Sequence, residues 1–337
     1  MSYDGTRVIE GYFECPVPFV VTASATAGIY LASVGGLPVT VTLPTANDAT
    51  MHHSDLAEPS WHYPGRDGSL SRLPELAPFW GRVVVWADNH TTPKALSISR
   101  FKIATDATGD DNAVREVGRQ LAEAAPAWWS AVSAWIEILY GQDLSRLGPV
   151  EPGLRFNNTT LWTRLYNLHG HPIREGHVLP VGSSAIGLVW PNYAPIDSAQ
   201  LQQCIALADQ HGPPPTEWLI IRDARSLYAG QDFRRAVLDA GLAAELAVTQ
   251  LISAHLRANG QTGEGIEGVL RKHRMLGRRC DYWIRDCGGT LPGNYDRRLL
   301  ARRNAATHTG YAPPPDDVRD AIAVAAEIVA QAVPVPG

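Results

Sequence analysis

The stretch Gln210-His-Gly-Pro-Pro-Pro-Thr216 divides the chain into two parts of different character. Three consecutive prolines lack the backbone N–H groups that a helix needs, so they impose an extended spacer between one helix and the next. Thr216 follows at once and is a residue type that caps helix N-termini. At 337 residues the chain is long enough for two domains. We therefore predict one domain over 1–211 and a second over 212–337.

Almost all of the sequence after the spacer has the apolar periodicity of helices. Within Asp232–Asn259, apolar residues recur three and four positions apart, which is typical of a long core helix. The same periodicity is found at 216–230, 266–286, 296–308 and 316–333. The pattern predicts an all-α antiparallel bundle of five helices, joined by short loops that contain Gly or Pro.

The sequence before the spacer is richer in strand-forming residues. Short runs of Val, Ile, Tyr and Phe predict strands at 7–13, 18–22, 28–34, 37–43, 82–87 and 96–103. A helical pair is predicted from Asp111 to Tyr140 with a break at Pro126, and its tryptophans are expected in the core. We expect a surface loop at 51–78, extended chain at 154–189 and a helix at 197–210. The predicted fold class is therefore α+β: an N-terminal β-rich domain with a helical pair, followed by an all-α bundle.

The residues best suited to chemistry stand together in Leu299-Leu-Ala-Arg-Arg303-Asn304-Ala-Ala-Thr-His308-Thr-Gly310. Asn304 and His308 are four positions apart and share a helix face, and the long side chain of Arg303 reaches the same opening. An imidazole exchanges a proton near neutral pH, and a guanidinium holds a phosphate oxygen on which negative charge builds. With Asn304 orienting the phosphate or ribose, these groups suit RNA cleavage by the substrate's own 2′-hydroxyl, without a metal or another cofactor.

A carboxylate, Glu245, stands within the apolar run Ala243–Val248. A buried carboxylate is costly unless it is paired. One interpretation is that Glu245 pairs with Arg303 or His308 and orients the site. The other is that it is a solvent-facing residue of an ordinary amphipathic helix.

Basic residues are concentrated around the candidate site. The window 271–303 holds ten basic residues against three acidic ones, although the whole chain carries a formal net charge of −5. A basic face attracts polyanions, so we expect it to bind RNA. The expected RNA-binding residues are Arg274, Arg278, Arg279, Arg297, Arg298 and Arg302. The alternative is a structural face whose charges are balanced by acidic neighbours in space.

The region from about Thr216 to Val333 resembles the higher eukaryote and prokaryote nucleotide-binding (HEPN) family. Arg303-Asn-Ala-Ala-Thr-His308 looks like the family's Arg-Asn-to-His signature, and the segments around Ala243 and after Asp316 resemble its long second helix and its last helix. The resemblance implies a homodimer in which two Arg/His sets line one cleft, and a metal-independent endoribonuclease of toxin–antitoxin or antiphage systems. Some members of the family have lost catalysis.

The resemblance also bears on Tyr311. In one branch of toxins, a partner nucleotidyltransferase modifies a tyrosine two residues after the histidine. Tyr311 stands three residues after His308, so it departs from that spacing and is a candidate modification site only.

Three hypotheses for the function follow. The first is a dimeric ribonuclease acting on single-stranded RNA, whose N-terminal domain senses or recruits an antitoxin or a trigger protein. The second is a catalytically inactive HEPN-like module that binds RNA or a partner protein as a scaffold. The third is a hydrolase in the N-terminal half, which has only scattered His and Asp residues behind it. An accessible His308 favours the first hypothesis, and a buried one favours the second.

The remaining expectations concern location and metal. No apolar run approaches the roughly 20 residues of a membrane span, and Met1–Gly5 has no basic and apolar leader, so we predict a cytoplasmic protein without a membrane segment. The four scattered cysteines are expected to be reduced thiols. Cys280 and Cys287 with His273 match no common zinc spacing, so no metal site is predicted.

Overall fold

A computed structural model describes residues 6–47, 49–50, 53–62, 79–87, 91–149 and 195–336, together with the backbone of four short strands between 153 and 189. The architecture is α+β, as predicted. Within these residues it comprises an N-terminal antiparallel sheet of five strands, two separate strand pairs, and eight α-helices. Most of the predicted loop at 51–78 and much of 154–189 lie outside the described residues.

The main sheet is built around its longest internal strand. The strands are β1 (Arg7–Thr22), β2 (Ile29–Val34), β3 (Leu37–Thr42), β4 (Gly81–Trp86) and β5 (Pro93–Ala107). β5 pairs with β1 along one edge, and with β4 and then β3 along the other; β2 pairs with β3. The predicted strands at 7–13 and 18–22 are one strand, whose register shifts between Glu14 and Phe19. Pro16 and Pro18 stand at this shift, because proline cannot donate a ladder hydrogen bond.

Four short strands stand in the sequence between residues 153 and 189. β6 (Gly153–Phe156) pairs with β9 (Ile186–Val189), and β7 (Leu161–Arg164) pairs with β8 (Val178–Val181).

One helix, α1 (Asp111–Tyr140), covers the sheet, and it is continuous. The predicted break at Pro126 is wrong: the proline lies inside the helix. The side chain of Asp110 caps the N-terminus, and Gly141, with a φ of 71°, ends the helix. The tryptophans of α1 are buried as predicted, and the rings of Trp129 and Phe101 lie 5.0 Å apart. The burial of Leu121 and Ala125 before Pro126, and of the tryptophans after it, outweighs the loss of one helical hydrogen bond.

The helices after α1 form the rest of the chain's core. They are α2 (Ser198–His211), α3 (Thr216–Ala229), α4 (Phe233–Ala258), α5 (Gly263–Lys272), α6 (Leu276–Arg285), α7 (Ala301–His308) and α8 (Pro315–Ala332). The single helix predicted at 266–286 is therefore two helices, α5 and α6. The break between them lets Ile266 and Leu276, which are both buried, face the same core.

The long helix α4 is the centre of the helical part, and α3 and α8 pack against it. Among the helices in the described ranges, α4 alone is long and apolar enough to cross a bilayer by length and composition. Our prediction considered only unbroken apolar runs and did not detect it. Because 56% of the relevant stretch is buried in the bundle, α4 has the character of a core helix, which passes the same test.

A π-helical turn, Asp296–Leu300, leads directly into α7. The N–H of Ala301 donates to the carbonyl of Asp296, five residues earlier, instead of four. Such a turn holds one more residue than an α-helical turn and changes which residues of the following helix face inward.

The buried apolar side chains form two clusters. The first joins the sheet, α1 and α2 and extends to Ala208; the second begins at Trp218 and takes in Ile138 from the end of α1. The change from one cluster to the other falls across the predicted domain boundary. Whether 1–211 and 212–337 fold independently stays a prediction.

A buried carboxylate, Glu137, lies where α1 meets α3. One of its oxygens accepts hydrogen bonds from the N–H groups of Leu144 and Ser145 at 2.9 and 2.7 Å. The other accepts from the Ser145 hydroxyl at 3.0 Å and lies 3.6 Å from Arg222 Nε of α3. Burial raises the pKa of Glu137 to about 7 in spite of these partners.

Candidate functional site

The candidate site is carried by α7, which packs on α4. Ala306 is buried in the interface, and its carbonyl accepts a hydrogen bond from Arg234 Nε of α4 at 3.1 Å. With this side turned inward, Asn304 and His308 are exposed and Arg303 is partly covered. The three residues selected from the sequence therefore lie together on one short surface helix.

The side chain of Arg303 crosses α4 at a glycine. A Cβ atom at Gly241 would lie only 2.6 Å from Arg303 Cγ, so the absence of a side chain there makes room for the arginine stem. The guanidinium donates from Nη1 to Asn304 Oδ1 at 3.3 Å. Its Nη2 lies 3.9 Å from Glu245 Oε2, one helical turn further along α4.

Glu245 is paired, but its closest partner is a residue that the sequence did not single out for this role. Arg279 of α6 donates from Nη1 to Glu245 Oε1 at 3.0 Å, whereas Arg303 makes only the longer contact. The expected pairing with Arg303 is thus present as a second interaction, and no contact of Glu245 with His308 is found in the described residues. The carboxylate lies between two arginines.

His308 is the last residue of α7, and its side chain is exposed. Gly310, with a φ of 68°, turns the chain away immediately afterwards. Within the described part of the chain, no hydrogen bond holds the imidazole. This is the accessibility that the ribonuclease hypothesis requires.

The six arginines expected to bind RNA fall into two groups. Arg274, Arg278 and Arg297 are exposed, and none of them forms an ion pair within the described residues. The other three have acidic partners: Arg298 lies 3.7 Å from Asp320, Arg302 lies 3.0 Å from Asp317, and Arg279 bonds to Glu245. Acidic neighbours therefore balance the charge of three of the six arginines, as the alternative interpretation expected.

Arg279 differs most from the expectation. Its side chain is only 16% exposed, and its guanidinium is directed into the fold, so it is not placed as a surface phosphate contact. Its position next to Arg278 in a basic run concealed this, because the two residues lie on different sides of α6.

Tyr311 is 49% exposed just after the turn at Gly310. Its N–H donates to Thr309 Oγ1 at 3.3 Å, and this hydroxyl also donates to the carbonyl of Ala305. The ring is accessible, and its modification stays a prediction.

Other reactive groups do not join the site. In the ranges that the structure describes, no three His, Cys, Asp or Glu side chains converge in the way that a metal ion would need. Burial raises the pKa of Cys280 to about 12, so its thiol stays protonated. Of the histidines in the N-terminal half, His52 and His90 lie outside the described residues.

No protein-family model matches this chain, and no curated protein or solved structure shows significant similarity to it.

Proposed function

We propose that the region 212–337 is a metal-independent endoribonuclease of HEPN type that acts on single-stranded RNA as a toxin or an antiphage effector. The observation that carries the proposal is the arrangement on α7: a guanidinium, an amide and a solvent-accessible imidazole on one surface helix. The exposed Arg274, Arg278 and Arg297 supply positive charge from the same region of the sequence for a polyanionic substrate.

The reaction follows from these groups. An imidazole of His308 takes the proton of a ribose 2′-hydroxyl, and the 2′-oxygen attacks the adjacent phosphorus. The bond from phosphorus to the 5′-oxygen breaks, and an imidazolium returns a proton to the leaving oxygen. The products are a 2′,3′-cyclic phosphate and a 5′-hydroxyl. Arg303 stabilises the negative charge that builds on the non-bridging oxygens.

A homodimer completes the proposal. One chain offers a single His308, whereas the reaction needs one group to take a proton and another to donate one. An isologous contact between two helical regions places two copies of α7 at one cleft, which then holds two copies of Arg303, Asn304 and His308. The N-terminal sheet and α1 then serve to sense or recruit an antitoxin or a trigger protein.

The first test is incubation of the purified protein with single-stranded RNA in excess chelator, beside Arg303→Ala and His308→Ala. We expect cleavage that leaves a 2′,3′-cyclic phosphate. Each variant should lose about two to four orders of magnitude in rate, as when an acid–base group or a charge-stabilising donor is removed.

Both variants should keep the melting temperature of the wild type, because His308 is exposed and Arg303 lies at the surface of α4. Cleavage that requires added Mg²⁺, or that leaves a 5′-phosphate, contradicts the proposal. Bound RNA that stays intact in all three proteins would instead support the scaffold hypothesis.

A further inference from the structure

Arg279 is held by acceptors from two neighbouring elements. Its Nη1 donates to Glu245 Oε1 at 3.0 Å and to Thr249 Oγ1 at 2.9 Å, both on α4. Its Nε donates to the carbonyl of His273, at the end of α5, at 3.0 Å. The guanidinium is therefore fixed among α4, α5 and α6 and is only 16% exposed.

Arg303, on the other side of the same carboxylate, is held much more loosely. Its contact with Glu245 is 3.9 Å long, beyond hydrogen-bond distance, and its one side-chain hydrogen bond within the described residues goes to Asn304. A guanidinium has five N–H donors, so most of those of Arg303 remain for a ligand.

The charges of this triad decide what Arg303 can bind. A carboxylate that paired with Arg303 alone would cancel its charge and occupy the donors that a phosphate needs. With Arg279 present, one negative group lies between two positive ones and a net charge of +1 remains. The tighter contact of Glu245 is with Arg279, so the unbalanced charge falls on Arg303.

We propose that Arg279 is a positioning residue that binds Glu245 and thereby leaves Arg303 charged and open to a phosphate group. The inference rests on the proposed role of Arg303 as a phosphate ligand, but it does not require cleavage. It also assigns a role to Glu245: the carboxylate attracts Arg303 towards α4 without forming a direct hydrogen bond with it.

The test uses binding of a single-stranded 2′-deoxy oligonucleotide, which has phosphates but cannot be cleaved through a 2′-hydroxyl. Affinity is measured by fluorescence anisotropy for the wild type, Arg303→Ala, Arg279→Met and the double variant Glu245→Gln/Arg279→Met. Arg285→Met is the matched control, because it removes the same charge from an exposed position at the other end of α6 that is not among the expected RNA-binding residues.

Without Arg279, Glu245 turns to Arg303 and neutralises it. Arg279→Met should therefore bind about tenfold more weakly than the wild type, as when a charge-assisted hydrogen bond is lost, and more weakly than Arg285→Met. Removing the carboxylate charge as well should restore most of the affinity. In an Arg303→Ala background, Arg279→Met should have little further effect, because the two changes act through one contact.

A purely structural role for Arg279 predicts the opposite pattern, in which the double variant is no better than Arg279→Met and the losses add in the Arg303→Ala background. Either result would overturn the inference, as would an Arg303→Ala protein that binds like the wild type. Where Arg279→Met does not fold, Arg279→Lys replaces it and should stay closer in affinity to the wild type than to Arg303→Ala.

Parallel assays on the corresponding RNA separate the two proposals. If the wild type leaves RNA intact while the order of affinities holds, the nuclease fails and the inference stands. If the wild type cleaves and Arg279→Met binds and cleaves equally well, only the inference fails.

Discussion

Gly241 contributes to the site by having no side chain. In the interior of a helix, Gly→Ala normally raises stability by up to about 1 kcal/mol. At Gly241, however, the new methyl group meets the stem of Arg303, with only 2.6 Å between the two carbon atoms. We predict that Gly241→Ala displaces the Arg303 guanidinium and lowers RNA affinity and cleavage by about tenfold, on the scale of one lost charged contact.

Gly268 in α5 is the matched control, because a Cβ atom there meets nothing within 4 Å. Gly268→Ala should gain stability in urea unfolding and keep the activity of the wild type. If Gly241→Ala retains full activity, the passage of Arg303 over α4 has no bearing on function.

The residues of the site show what could and could not be predicted from the sequence. Arg303, Asn304 and His308 were predictable as a group, because their spacing within one helix fixes their relative positions. Gly241 and Arg279 were not, because each acts across a contact between different helices. Nothing in the local pattern distinguished Arg279 from the exposed Arg278 beside it.

At the level of helices, the exposed arginines and the arginines with acidic partners should contribute differently to RNA binding. We predict that replacing the exposed Arg278 and Arg297 by Ala flattens the slope of log affinity against log salt by about 1.4, since each phosphate contact on a single strand contributes about 0.7. Replacing Arg298 and Arg302, which face Asp320 and Asp317, should change the slope much less.

The measurement is anisotropy of a labelled RNA from low to moderate salt, on two different sequences. Both should weaken alike, because phosphate contacts carry no base information. Equal slopes for the two double variants would show that ion pairing does not determine which arginines contact phosphates.

Secondary structure followed from the sequence where a segment is regular on its own. The strands β2 and β3 and the helix α4 have clear periodicity and turn residues at their ends, and they lie where they were predicted. The continuity of α1 through Pro126 and the break between α5 and α6 were missed. Both depend on what the segments pack against, which a local pattern does not contain.

At the scale of the whole molecule, the proposed homodimer predicts that an inactive variant interferes with the wild type. Because the one cleft would need a His308 from each chain, an excess of His308→Ala mixed with the wild type should lower the activity per wild-type chain, through heterodimers with a single His308. Light scattering should report a dimer at micromolar concentration. A monomer, or wild-type activity that the variant leaves unchanged, would contradict the shared cleft.

The junction of α1 and α3 predicts how stability depends on pH. The pKa of Glu137 rises from 4.5 to about 7 on folding, so folding favours its protonated form. Its contribution is fully present below pH 4.5 and is lost as the pH rises through 7. Relative to Glu137→Gln, the wild type should lose on the order of 3 kcal/mol of unfolding free energy over this range.

Urea unfolding of both proteins at several pH values measures this difference. Parallel profiles for wild type and Glu137→Gln would mean that the carboxylate has the same proton affinity in both states. The comparison is within one pair of proteins, so other titrating groups cancel.

The π-helical turn before α7 makes the site vulnerable to a class of genetic change that substitutions never sample. Loss of one codon between Asp296 and Leu300 would return this turn to ordinary helical geometry, and α7 would rotate by about 100° relative to the chain before it. Leu299 and Ala306, both buried, could not then keep their present neighbours together. An in-frame deletion of Arg297 should thus be far more harmful than its replacement by alanine, although both remove the same charge. Among descendants of this gene, the length of that turn should be inherited more strictly than the identity of its residues.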